Sequence, residues 1–279
     1  MFDPKTILAA TDLSRRSEAV PARAAQLARA KNARLILVHA LEPAKPGVAR
    51  LRLSRKDDRL RRANAEMEKL RTQFPDVETT CLVVEGTPAT VVPKLAEEHD
   101  ADLIVLGLHL PRRVLETLRL TNLERITQAT RCPVLIAHSH NAAPYRRILG
   151  AISFAPASAQ ALRVAARLAP EAEIYAIHAL QLPLTAKIPQ TDLMTTTEMT
   201  EAELLRDAFM ALDGLPAHLH LPEIVPGGVH EVLQFRIEEL EPDLVVIGSH
   251  SGRDLKNLGN YARDLMRAPP TDMLVAKPC

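Results

Sequence analysis

The 279-residue sequence has no tryptophan, three tyrosines and five phenylalanines, so its cores must be aliphatic. Cysteine is scarcer still: Cys81, Cys132 and Cys279 form no CxxC pair, which excludes a disulfide scaffold and fits a reducing compartment. They are read as free core or surface thiols. No apolar run approaches the ~20 residues that cross a bilayer. The opening MFDPKTILAATDL, with an acid and a proline in its first four residues, lacks the apolar stretch of a secretory signal. The expectation is a cytoplasmic protein with no membrane partner. No P-loop lysine motif, nucleophile elbow or HExxH occurs either, which leaves little support for catalysis by those routes.

What is present is a long repeat. DADLIVLGLH at 100–109 and EPDLVVIGSH at 241–250 stand 141 residues apart, and Ile7-Leu8 with Ile148-Leu149, Gly86 with Gly227, and His109 with His250 share that offset. His39 with His178 and Leu135-Ile136 with Leu274-Val275 follow at 139, as loop insertions and deletions allow. A period this long marks a duplicated domain rather than a solenoid. We place the domains at 1–141 and 142–279, each large enough to bury its own core. Charge divides unevenly: residues 1–144 carry 23 Lys+Arg against 17 Asp+Glu, residues 145–279 carry 12 against 17. The halves are therefore complementary, and the first is the better host for an anion.

Within each half, short Val/Ile/Leu runs alternate with amphipathic stretches. In the first half KTILAATDL, RLILVHAL, VETTCLVVEG, DLIVLG and CPVLIAH read as buried strands. Helices are expected from Ser14 as N-cap, from Arg50 to Phe74, over PATVVPKLAEEHD and through RVLETLRLTNLERITQAT. The second half repeats the order, with helices near 157–168 and 199–212, and 183–197 reads as a mobile loop. Such a series implies an α/β fold: two tandem, doubly wound parallel sheets covered by helices on both faces. Ligands of these sheets sit at the carboxyl ends of the strands. That rule selects Thr11-Asp12, His39-Ala40 and Gly107-Leu108-His109. Asp12 can accept hydrogen bonds from a ribose or base, Gly107 permits close backbone approach, and the helix entered through Thr121-Asn122 offers N–H groups to phosphate. Asp12 could equally serve a helix cap, and Gly107 a plain turn.

At this point the chain resembles the universal stress protein family, in its tandem two-domain form. The carriers are ILAATDLS, LILVHAL, VEGTPATVV, DLIVLGLH and TNLERITQATRCPVLIAH. The resemblance implies a five-stranded Rossmann-like sheet in each half, similar to adenine nucleotide alpha hydrolase folds, with the halves related by a pseudo-two-fold axis. It further implies an adenine nucleotide, ATP or AMP, with Mg possible alongside ATP. Nucleotide-binding members carry G-x2-G-x9-G-[ST] after strand four and an aspartate after strand one. The first half keeps Asp12, Gly107 and Thr121 but has Leu110 and Leu120 at the second and third glycines. The resemblance there assigns Asp12, Ala40, Gly107, Leu120, Thr121 and Asn122, with the phosphates displaced or the tail as short as that of AMP. The second half has Ser153 for the aspartate but retains Gly248, with Gly252 near the second glycine position and Gly259-Asn260 near the third in a loop two residues shorter; with Ala179 these form a possible second site, although the closing ARDLMRAPPTDMLVAKP looks more like the family branch that lacks the glycine motif. The last strands could pair within one chain as an internal pseudo-dimer, making a homodimer optional.

Three other readings are weaker. His39 and His109 recur as His178 and His250, so a structural role, bonding loop carbonyls, is favoured over proton transfer. His138/His140 and His218/His220 each place two imidazoles at i, i+2, but no ligand cluster accompanies them. The basic run Arg50, Arg52, Arg55, Lys56, Arg59, Arg61 and Arg62 contains Asp57-Asp58 and no aromatic, so a solvated helix face is preferred to nucleic-acid binding. The expected function is a non-enzymatic stress-responsive nucleotide sensor or scaffold, with weak ATP hydrolysis left open. The competing class is an interaction module with vestigial pockets or a different small ligand.

Overall fold

The computed structural model describes residues 3–43, 53–108, 120–139, 142–181, 192–249 and 258–277. The chain divides into two compact units, Met1–Pro144 and Tyr145–Cys279. In the first unit the order is β1 (Thr6–Ala10), a 3-10 turn (Arg15–Ser17), α1 (Ala19–Lys31), β2 (Arg34–Leu41), α2 (Leu53–Thr72) and β3 (Thr79–Glu85). It continues with α3 (Pro88–Glu98), β4 (Leu103–Gly107), α4 (Asn122–Ala129) and β5 (Val134–Ala137). Its strands pair in parallel in the spatial order β3-β2-β1-β4-β5. The order reverses between β1 and β4, the switch point of a doubly wound sheet.

The second unit has the same order: β6 (Arg147–Ala151), α5 (Pro156–Leu168), β7 (Glu173–Leu180), α6 (Asp192–Met210), β8 (Glu223–Pro226), α7 (Val229–Leu240), β9 (Leu244–Gly248), α8 (Asn260–Arg267) and β10 (Asp272–Ala276). Its sheet runs β8-β7-β6-β9-β10, again parallel. The central strands are buried on both faces, as continuous Ile/Leu/Val runs demand: Ile7, Leu8, Ile104, Val105, Leu244 and Val245 are all inaccessible. Right-handed crossovers place α1 and α2 on one face of the first sheet and α3 and α4 on the other, where α3 packs on α4.

Two devices recur in both units and explain the repeated motifs. Asp102, just before β4, accepts hydrogen bonds through one carboxylate oxygen from the N–H groups of Lys5 (2.7 Å) and Thr6 (3.0 Å), fixing the start of β1. Asp243 does the same for Arg146 (2.8 Å) and Arg147 (3.0 Å) at the start of β6. Gly86 and Gly227 turn into α3 and α7 with φ of +144° and +152°, a conformation closed to most side chains. A Cβ on them would also strike Val91 at 2.7 Å and Val232 at 2.9 Å.

Two expectations need correction. Helix α1 does not open at Ser14: the 3-10 turn comes first and Glu18 is the N-cap, without a side-chain cap bond. From Ser14 the backbone closes i→i+3 bonds, the Ser17 N–H to the Ser14 carbonyl at 3.0 Å and the Glu18 N–H to the Arg15 carbonyl at 3.4 Å, while Asp12 holds the Ser14 N–H in a tight turn at 2.9 Å. The expected loop at 183–197 is also shorter, because α6 already starts at Asp192. Three consecutive threonines are poor helix formers, but burial of Ala202 and Phe209 further along decides the segment. The remainder of that loop lies outside the described residues, as do Arg50, Arg52, His109, Leu110, His140, His250 and Gly252.

Candidate functional site

Because every strand is parallel, the ends of β1, β2 and β4 and the start of α4 gather at one edge of the first sheet. β1 stops pairing with β2 near Val38, where Thr11 donates its N–H to the Val38 carbonyl at 2.9 Å. β2 continues to Leu41 against β3 alone, so the backbone at Ala40 overhangs the end of β1. The chain then turns sharply at Leu13, with φ of +59°.

Asp12 sits at the mouth of this step, and a relay of hydroxyls holds it. The Ser17 hydroxyl donates to Asp12 Oδ1 at 2.7 Å. Having spent its proton there, it accepts from the Thr11 hydroxyl at 2.8 Å. The Ser14 N–H donates to the same carboxylate oxygen. Burial acts to raise the Asp12 pKa, but hydrogen bonds from Ser14 and Ser17, aided by nearby His39, bring it below the ordinary value of 3.8. Asp12 is therefore both things the sequence allowed, a turn-closing acceptor and an ionised, exposed carboxylate at the sheet edge.

His39 lies with Nδ1 3.0 Å from the Thr11 carbonyl. A carbonyl only accepts, so Nδ1 carries the proton and the imidazole ties β2 to the turn after β1. His178 repeats this against Ile152 at 2.9 Å, which is the structural role expected for the pair. Gly107 has a packing reason as well: a Cβ there would meet Val20 Cγ2 at 3.1 Å and stand 3.8 Å from Ser17. The glycine lets the start of α1 lie against β4.

At α4, Thr121 is the N-cap of a complete capping box: its hydroxyl accepts from the Glu124 N–H at 3.2 Å, and the Glu124 carboxylate accepts from the Thr121 N–H at 2.6 Å. The Thr121 N–H, expected to meet phosphate, is thus already engaged. First-turn N–H groups of Asn122 and Leu123 make no intrahelical bond and remain the donors for an anion. The sequence reading missed Glu124, although the T-x-x-E spacing announced it, and it missed Ser17. Leu120, Thr121 and Asn122 are all half-buried beside the described end of this loop.

The corresponding edge of the second unit differs in chemistry. Ala179 overhangs as Ala40 does, paired with Val225 on one side only. Ser153 replaces the aspartate and donates its N–H to Ser158 Oγ at 3.1 Å. Phe154 takes the left-handed position with φ of +56°, and its ring lies 4.6 Å from that of His178 and 5.6 Å, edge-on, from the fully buried Phe209. An aromatic cluster covers the corner where the first unit has a carboxylate. Gly248 is forced by packing, since a Cβ would stand 2.8–2.9 Å from Ala157 and the Ser158 nitrogen. Gly259 caps α8 with no side-chain bond, donates its N–H to the Ser249 carbonyl at 3.0 Å and is followed by Asn260 at the first helical position. Nearby, burial pushes the Tyr261 phenol well above its usual range, and among the described residues its hydroxyl and that of Ser249 have no hydrogen-bond partner.

The other motifs resolve into surface features. In the basic helix, Arg61 pairs with Asp58 and Arg59 donates to the Glu42 carbonyl at 3.0 Å, as a solvated face would. His218, in a turn, and His220 are exposed on either side of the buried Leu219, and His220 stacks on Tyr175 at 4.4 Å. Among the described residues no group of three His, Cys, Asp or Glu is placed to hold a metal ion, and no helix is long and apolar enough to cross a membrane.

Comparison with known proteins places these features. The model of the Universal stress protein family matches twice, over residues 4–138 and 144–277. No curated protein matches. Among solved structures, a universal stress protein from Archaeoglobus fulgidus DSM 4304 aligns over 98% of this chain and 96% of its own, with TM-score 0.71 and 19% identity. A putative universal stress protein from Pseudomonas aeruginosa UCBPP-PA14 aligns over 99% and 94%, with TM-score 0.65 and 18% identity. A functionally unknown protein from P. aeruginosa PAO1 aligns over 99% and 93%, with TM-score 0.63 and 18% identity. At these identities the likeness is one of fold.

Proposed function

The chain belongs to the universal stress protein family, one domain to each half, and on that premise we propose that it is a non-enzymatic, cytoplasmic stress-response protein whose first unit binds an adenine nucleotide. The observation that carries this reading is Asp12: an exposed carboxylate kept ionised at the switch-point edge by Ser14 and Ser17. A ribose or base amine donates to it, the overhanging backbone at Ala40 lines the base, and Gly107 lies against the ribose. The first turn of α4, from Leu120 through Asn122, meets the phosphates. Leucine at 120 and the buried carboxylate of Glu124 favour a short tail, so AMP, or ATP with displaced phosphates and Mg2+, is the expected ligand.

The second unit has no carboxylate at this position, and Phe154 lies over the corner, so the same ligand is not assigned there. Among the described residues of the first edge, the hydroxyl bonded to Asp12, that of Ser17, is buried, and His39 is committed to the Thr11 carbonyl, so neither is offered to a substrate as a nucleophile or base. The test is mass spectrometry of ligand released from the purified protein, followed by ATP and AMP titration of wild type and Asp12→Ala. The expected outcome is retained AMP or ATP and affinity weakened by the substitution. No retained nucleotide together with no affinity tighter than millimolar would leave the interaction-module reading in its place.

A further inference from the structure

The two units share a fold but not a surface, which makes each a control for the other. Among the described residues, every exposed large hydrophobic side chain belongs to the second unit: Leu204, Leu205 and Leu212 on and just after α6, Leu221 before β8, and Phe235 on α7. Phe235 is 64% and Leu221 62% exposed, whereas the first unit has exposed Thr80 and Lys94 at the corresponding positions of its own β3 and α3. The correspondence is fixed by Gly86 and Gly227 with Val91 and Val232, whose turn geometry is the same.

Of these, Leu221 directly precedes β8, the edge strand of the second sheet, and Phe235 faces that strand from α7. Among the described strands β8 pairs with β7 alone, so the backbone groups of its outer side have no ladder partner. Beside it runs a groove of about 250 Å³ lined by Ile177, Val225, Pro226, Val232, Phe235 and Arg236, with Glu231 at its rim. Arg236 is already spent on Glu223 and Glu239. Three carboxylates, Glu223, Glu231 and Glu239, stand here against Arg236, and the stretch 192–241 that supplies α6, β8 and α7 holds 11 Asp+Glu against two Arg, while the matching stretch 53–100 holds 10 against eight Lys+Arg.

We infer that the β8–α7 edge is a docking site for an extended segment of a partner protein that alternates basic and apolar residues. Its backbone adds a strand to β8, its apolar side chains cover Phe235 and Leu221, and its cations meet Glu231 and the carboxylates of Glu223 and Glu239, which outnumber Arg236. A second copy of this chain is disfavoured as the occupant in a face-to-face pairing, because two net-negative edges would repel. The site belongs to the second unit and the Asp12 edge to the first, and the inference stands whether or not a nucleotide binds at Asp12.

The probe is a labelled synthetic peptide alternating leucine and arginine, titrated by fluorescence anisotropy into the full chain. Binding should weaken about tenfold or more in Leu221→Thr/Phe235→Lys, which installs the residues the first unit tolerates at the same places, and should weaken with added salt. Glu231→Gln should weaken it less. Methylating alternate backbone nitrogens of the peptide should also reduce binding, because it removes the ladder donors. Unchanged affinity in the double variant, or equal binding of the methylated peptide, would overturn the proposal. So would sedimentation data in which the double variant abolishes a dimer of the chain while peptide binding is unaffected.

Discussion

At the scale of single residues, Asp12 and the strand-four glycines make opposite demands. The folded-state pKa of Asp12 lies below the unfolded value near 3.8. Its stabilisation is thus complete above that value and is lost as pH falls through the lowered folded value. Urea unfolding of wild type and Asp12→Asn should therefore differ most near neutrality and converge as pH falls below the unfolded value and through the lowered folded one. A gap that widens in acid would contradict the assignment. Gly248 and Gly107 should separate in the same assay. Alanine at 248 drives a Cβ against the backbone of the first turn of α5 at 2.9 Å, whereas alanine at 107 meets the tip of Val20 at 3.1 Å. Overpacking against backbone is expected to cost about 1–3 kcal/mol, and the Gly107 variant should lie at or below the bottom of that range.

At the scale of elements, short side chains at the ends of strands and helices set the geometry of the edge. The capping box at α4 predicts that Thr121→Ala destabilises by about 1 kcal/mol while Thr121→Ser is nearly neutral. Circular dichroism and thermal melts would check both, and equal loss in the two variants would remove the box as the cause. Asp102→Asn and Asp243→Asn form a matched pair: each weakens two backbone bonds at the start of a central strand, so the two variants should lose similar stability. Elements were largely legible in the sequence because buried parallel strands write themselves as unbroken Ile/Leu/Val runs. Their starts were less so. Ser14 had the residue type of an N-cap, but a 3-10 turn rather than α1 follows it, and the weak propensity of Thr195–Thr197 concealed the start of α6. Glu124 was visible in its spacing from Thr121, yet a glycine motif that ends at Thr121 gives no sign of a buried carboxylate where phosphate was expected.

At the scale of the whole molecule, duplication has kept the supports of a site while changing its occupants. His39 and His178, the left-handed Leu13 and Phe154, and Ser17 and Ser158 hold equivalent positions in the two units. The repeat made those correspondences readable. It could not reveal that the Phe154 ring lies across His178 and against Phe209, because a phenylalanine in a loop has no periodicity and Phe209 is distant in sequence. That cluster has a consequence for stoichiometry. If the Asp12 edge is the nucleotide site and the Phe154 corner is closed to it, calorimetric titration of the full chain with AMP should give one site per chain. Asp12→Ala should reduce the binding heat rather than uncover a second class of site. Phe154→Leu together with Ser153→Asp copies the first-unit residues into the second unit and should raise the number towards two. A value of two in the wild type, or one that survives Asp12→Ala at full affinity, would mean that the glycines of the second unit, rather than the aspartate of the first, mark the working pocket.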